Sequence, residues 1–295
     1  MYDGIINVYK EKGFTSFDVV AKMRGILGQK KVGHTGTLDP EAEGVLPVCV
    51  GKGTRLCDML TDRDKTYEAT LLLGMETDTQ DTTGTVLSET DASGLTEEAV
   101  REAVLCFVGD YDQIPPMYSA LKVNGRKLCD LARQGVEVER KPRPVKIYDI
   151  TIRSIRLPEV VMTVSCSKGT YIRTLLEDIA AAMGQKGTMS ALRRTTAGVY
   201  TEADAHTLEE IQAAKDAGPE ALQALMLPVE SVFESLPLLV VEPRVEQHLY
   251  NGCPTSRYPA ADGRYRVRNA AGQFLGLANI VQGVLRVEKL FVERN

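Results

Sequence analysis

Apolar residues recur along this chain at two spacings. Val19, Val20, Met23, Ile26 and Leu27 share one face at helical spacing. Ser16 stands where an N-cap belongs and Gly28 where the helix must stop, so a helix is predicted between them. Ile172, Leu175, Leu176 and Ile179 predict another from Tyr171 to Met183, closed by Gly184. Thr96 is placed to cap a third, carrying Val100, Ala103, Val104 and Phe107 and ended by Gly109. Leu128 to Arg133 predicts a short helix broken at Gly135, and Thr207-Leu208-Glu209-Glu210 reads as a capping box before an acidic helix. Apolar or alternating runs predict strands at Val45–Val50, Lys65–Gly74, Val145–Ile155 and Val160–Cys166. Pro228 and Pro237 mark the exit from a main unit, residues 1–236. From Leu238 the texture changes to short strands and turns: Leu238–Val241, Tyr265–Arg268, Gln273–Ala278 and Val284–Val287, within residues 237–295.

Composition narrows the class. The 295 residues suffice for one large or two smaller cores. No run approaches the roughly 18 apolar residues of a membrane span, and Met1-Tyr2-Asp3-Gly4 opens no secretory leader. Six scattered cysteines without a C-x-x-C pair, and only three histidines, speak against a disulfide framework or a metal site. Reduced thiols in a cytoplasm are the expectation. The net charge of −5 is unevenly spread. Residues 76–102 hold eight acids against one base, while residues 117–148 hold eight Lys or Arg against three acids. A basic face of that kind suits a polyanion.

One stretch carries candidate chemistry: Gly33-His34-Thr35-Gly36-Thr37-Leu38-Asp39-Pro40. Its glycines permit a tight turn, and Pro40 keeps Asp39 out of the α region, so one carboxylate is presented from a stiff loop. The following strand anchors it. Gly51-Lys52-Gly53-Thr54 invites a phosphate-loop reading but fails it, because Gly53 stands where Ser or Thr must follow the lysine. Two further stretches stand out. Gln113-Ile114-Pro115-Pro116-Met117-Tyr118-Ser119-Ala120-Leu121-Lys122 opens the basic region, and its paired prolines preclude a regular helix or central strand. Arg173 falls in the first turn of its helix, against the helix dipole, which suggests a partner carboxylate.

The run GHTGTLDPEAEGVLPVCVGKGTR resembles the signature of the TruB family of pseudouridine synthases. Three other stretches extend the likeness: Cys166-Ser167-Lys168-Gly169-Thr170-Tyr171-Ile172-Arg173, Leu192-Arg193-Arg194, and the basic segment from Gln113. The resemblance implies an α+β fold with a mixed or antiparallel sheet. It implies a basic thumb inserted at about 115–147, and a small C-terminal β-barrel of PUA type in 237–295. Asn251-Gly252 and Phe274-Leu275-Gly276-Leu277 carry the barrel likeness.

By the same resemblance, Asp39 is the essential acid, Arg173 pairs with it, and Tyr67 packs on the target base with a possible part in C5 proton transfer. The acid either attacks or stabilises charge; both readings stand. His34, Tyr171 and Leu192 would hold the flipped nucleotide. Lys10 is carried over as a binding residue, although Glu11 replaces the proline usual after it. The implied reaction is isomerisation of uridine to pseudouridine at position 55 in the tRNA T loop, by a monomer, with no metal or cofactor. Help in tRNA folding is an added role to consider. A carboxylate hydrolase would need a second acid at a defined spacing, and none is apparent.

Overall fold

The computed structural model describes residues 2–292. Its centre is a nine-stranded sheet. The main path runs Gly4–Lys10, Glu43–Val50, Gly187–Ala197, Lys65–Leu73, Glu159–Cys166, Arg143–Arg156 and Gly109–Gln113. Val32–His34 joins beside Glu43–Val50, and Tyr200–Thr201 beside Gly187–Ala197. Within this sheet the pairings are antiparallel except where Glu43–Val50 meets Gly187–Ala197. That seam is parallel and short, with Arg193 opposite Glu43 and Arg194 opposite Gly44. A Cβ on Gly44 would lie 2.3 Å from the Arg194 carbonyl oxygen, at a φ of +104°, so only glycine lets the strands meet.

The sheet is covered by three apolar clusters. Ile6, Val8, Leu46, Val48 and Val50 pack with Val19, Val20 and Met23 of the Ser16–Leu27 helix. Their neighbours Ile5, Val45 and Cys49 point the other way, towards Leu56 and Phe233. Burial on both faces explains the nearly unbroken apolar run of Glu43–Val50. Lys65–Leu73 instead buries alternate residues. Tyr67, Ala69, Leu71 and Leu73 pack with Ile172, Leu175, Leu176 and Ile179 of the Ile172–Ala182 helix. Each such fully buried Leu is worth roughly 1.5–3 kcal/mol against exposure.

Three expectations need correcting. Thr15, not Ser16, caps the first helix, in a capping box with Asp18; the Ser16 hydroxyl is turned to the Leu38 backbone instead. Phe107 lies beyond its predicted helix, which spans Glu97–Leu105. The C-terminal strands form an open four-stranded sheet, in the order Leu238–Val241, Gly263–Asn269, Phe274–Val281 and Val284–Leu290, and no barrel closes among the described residues. The first two strands are parallel, which requires a crossover, and the helix Pro243–Tyr250 supplies it. This sheet is docked on the main body by Phe233, Phe274 and Phe291 in mutual contact, and by Glu230 paired with Arg266 and Arg268.

Between Gln113 and Arg143 the chain leaves the sheet. A short hairpin, Lys122–Val123 with Arg126–Lys127, turns at Asn124-Gly125 and leads into the helix Leu128–Ala132. Positive φ at both turn residues, 51° and 81°, matches what a two-residue hairpin loop demands.

Candidate active site

Asp39 sits on a turn that is tied down along its length. Thr35 donates both its backbone N–H and its hydroxyl to the Pro47 carbonyl, each at 3.2 Å. Ser16 Oγ accepts from the Leu38 N–H at 2.8 Å and donates to the Leu38 carbonyl at 3.1 Å. The Leu38 side chain is buried with Tyr67, Ala69, Ile172 and Leu192. Beyond Asp39, the Lys10 ammonium donates to the carbonyls of Glu11, Pro40 and Ala42 at 3.0, 3.0 and 2.5 Å. Lys10 is fully buried, and burial pulls its pKa down to about 8. Its three carbonyl bonds fix the turn that carries Asp39.

Arg173 meets Asp39 across 134 positions of sequence. Nε lies 2.9 Å from Oδ2 and Nη2 3.3 Å from Oδ1, a forked pair that fixes the carboxylate's plane. Two further donors are used: Nη1 to the Thr79 carbonyl at 2.7 Å, and Nη2 to the Tyr118 carbonyl at 2.9 Å. The arginine side chain is 6% exposed and that of Asp39 is 33% exposed, so the pair shows only its acid to solvent. The Thr79 segment is itself braced by Gln80, whose side chain accepts from Thr174 Oγ1 and donates to Glu177. Nothing local to these residues in the sequence signals that they hold the arginine.

Tyr67 is buried beside this pair, and burial raises its phenol pKa, opposed chiefly by the Arg194 charge. Such a phenol is a poor base near neutrality, which runs against the proton-transfer role considered for it. Tyr171 precedes the Arg173 helix as its N-cap residue. The buried Gln113 amide clamps its backbone from both sides, accepting from the Tyr171 N–H at 2.8 Å and donating to its carbonyl at 2.9 Å. Leu192 is buried in the cluster with Leu38 and Tyr67. His34 ends the Val32–His34 strand half-buried, and burial, with the Arg194 charge, lowers its pKa. Its Nδ1 accepts from the Gly36 N–H at 3.3 Å, leaving the neutral ring's proton on Nε2.

The structure thus brings Asp39 and Arg173 together beside the cluster that holds Tyr67 and Leu192, with Tyr171 at the start of the arginine helix and His34 at the start of the turn. Sequence reasoning missed Arg194. It is 1% exposed, and its Nε donates to the Val45 carbonyl at 2.7 Å and Nη2 to that of Gly36 at 3.2 Å. Its spacing from Leu192 was the available signal, since residues two apart on a strand share a face. Among the described residues no group of three or more His, Cys, Asp or Glu could hold a metal ion, and no helix is long and apolar enough to cross a membrane.

Comparison with known proteins agrees with this geometry. Residues 24–172 match the TruB family pseudouridylate synthase N-terminal domain, and residues 173–234 the tRNA pseudouridylate synthase B C-terminal domain. The protein named tRNA pseudouridine synthase B from Lachnoclostridium phytofermentans is 54% identical over 85% of this chain and 83% of its own. That of Clostridium perfringens is 42% identical over 99% of both. Among solved structures, a Cbf5-Nop10-Gar1 complex contains a chain that superposes with a TM-score of 0.74 at 26% identity, over 98% of this chain and 85% of that one. A second, an H/ACA RNP bound to a substrate RNA containing 2'-deoxyuridine, gives 0.73 at 25% identity, over 99% of this chain and 86% of that one. With its acid turn and arginine helix both inside the matched segments, this chain belongs to the TruB family of pseudouridylate synthases.

Proposed function

We propose that this chain isomerises uridine to pseudouridine in tRNA, at position 55 of the T loop, as a cytoplasmic monomer. The observation that carries the reading is the forked Asp39–Arg173 pair, buried on the arginine side and open on the acid side. The relatives named tRNA pseudouridine synthase B support tRNA as the substrate class. Residues 1–236 are the catalytic domain, with the thumb at about 115–147, and 237–295 contact RNA. The thumb's lysines and arginines meet phosphates, giving salt-sensitive affinity without sequence readout.

In this reaction the bond from C1′ to N1 breaks, the uracil turns, and C5 bonds to C1′. C5 then loses a proton and N1 gains one, so atoms and electrons balance without a redox partner or group donor. Asp39 serves either by attacking or by stabilising positive charge; both need an oriented carboxylate, which Arg173 supplies. Tyr67 lies under the base as a protonated phenol. The base must leave its stack to reach Asp39, at a cost of a few kcal/mol. His34, uncharged at neutral pH, fills the vacated space, while Tyr171 and Leu192 hold the extruded nucleotide.

The test is to incubate the purified protein with a T-arm transcript and map pseudouridine. Conversion confined to position 55 is expected; a transcript left unmodified under conditions where it binds rejects the reading.

A further inference from the structure

We propose that Arg194 is a positioning residue for this reaction: it holds the Tyr67 hydroxyl and the Gly36 carbonyl in one fixed relation, so that the phenol donates its proton outward to the substrate base. This deepens the reading above and rests on it.

The argument begins with register. Arg194 is the direct partner of Tyr67 across the antiparallel pair of Gly187–Ala197 and Lys65–Leu73. Side chains of such partners leave the sheet on the same face, close together. A register shift between Arg194 and Thr196 bends the strand just there, a device that re-aims side chains. On its other side Arg194 sits at the parallel seam, opposite Gly44. One side chain therefore ties the acid's turn, through Gly36, to the seam strand, through Val45, and leaves the sheet beside its register partner Tyr67.

Its charge is the second observation. The preceding residue, Arg193, pairs with Glu68 and Glu202, both at 3.0 Å. Arg194, almost wholly buried, has no such acid among the described ion pairs and is answered by carbonyl oxygens. A buried cation without a carboxylate costs stability that an apolar side chain would not. A tie between strands alone would not call for it.

Chemistry supplies the direction. A guanidinium only donates hydrogen bonds. In a contact with Arg194 the phenol oxygen therefore accepts, and its own hydrogen points away from the guanidinium, outward in the plane of the ring. The raised pKa of the buried phenol keeps that hydrogen in place near neutrality. Tyr67 is then a donor oriented for a uracil oxygen or nitrogen that gains negative charge as the C1′–N1 bond breaks.

The experiment is a double-mutant cycle on the full chain, with single-turnover rates at saturating T-arm transcript. Arg194→Lys should lower the rate by about tenfold or more, with transcript affinity within about threefold. Tyr67→Phe removes the hydroxyl and should slow the reaction on its own. In that background Arg194→Lys should cost less than about twofold, because the group it acts through is gone. Full additivity, or an unslowed Arg194→Lys, overturns the proposal; a merely structural tie would give additivity. If Arg194→Lys does not fold, a crystal structure of the unmutated protein decides instead. A guanidinium nitrogen within hydrogen-bond distance of the Tyr67 oxygen upholds the proposal, and separation beyond 4 Å overturns it. Loss of the function reading would show separately, as a wild-type protein that binds the transcript without converting it.

Discussion

The Asp39 turn and the thumb differ in how firmly the chain holds them. The turn is fixed by Ser16, Pro47, Lys10 and Arg194, all of them buried, and its acid is clamped by an arginine that also bonds two backbone carbonyls. In the thumb only a few side chains, such as Leu128, Leu131 and Ser119, are buried. Its ion pairs, Arg133 with Asp130 and Arg140 with Glu137, each have a solvent-exposed partner. Exposed pairs of this type are worth at most about 1 kcal/mol. On the function proposed above, the contrast assigns orientation and affinity to different parts of the molecule: reaction geometry to the sheet seam, RNA attraction to a lightly anchored arm. Arg173 touches both, since it donates to Asp39 and to the Tyr118 carbonyl at the thumb's base.

Breaking the rigid side should have the largest effect. Arg173→Met leaves Asp39 without its fork and two carbonyls without a donor, so turnover should fall by roughly a thousandfold or more. Arg173→Lys should recover only part, because an ammonium cannot make the fork. A Lys variant equal to wild type would mean that charge alone suffices. Lys10→Met strips donors from three carbonyls of the turn. It should cost roughly 2–4 kcal/mol in denaturant unfolding, given about 1–3 kcal/mol per buried group left unsatisfied. Retained stability would show that water replaces the ammonium.

The loose side should respond differently. Arg126→Ala with Lys127→Ala should weaken transcript binding and flatten its dependence on log salt by about one to two. The saturated rate should stay within about twofold. A rate loss at saturation would place the thumb in the chemistry. The smallest effect is expected at His34, whose folded pKa lies below the ordinary 6.5. The unfolded chain takes up a proton near 6.5 that the fold refuses, so this part of stability is complete above 6.5 and is lost as pH falls towards the lowered value. His34→Gln should reduce the acid-side fall in Tm by roughly a degree or two. An unchanged slope would show that the ring is not penalised by burial.

The same contrast governs what could be read from the sequence. The Asp39 turn was legible because its determinants, Gly36, Leu38 and the Asp-Pro step, are consecutive. Arg173 was legible because a cation in a first helical turn is out of place. Lys10 was not, because its three carbonyl partners are gathered only by folding. The Gly187–Ala197 strand went unpredicted although it is central: two register shifts break its alternation, and its buried residues include Thr188 and Arg194. The helix Pro243–Tyr250 carries few apolar residues and went unpredicted among the short strands; the barrel came from the family resemblance, and an open sheet stands in its place.

Asp39→Asn tests the central claim most directly, because it keeps the shape and removes the charge. Measured together, pseudouridine formation and binding of a T-arm transcript should separate: conversion abolished, affinity within a few-fold of wild type. Undiminished conversion by the Asn variant would contradict the account.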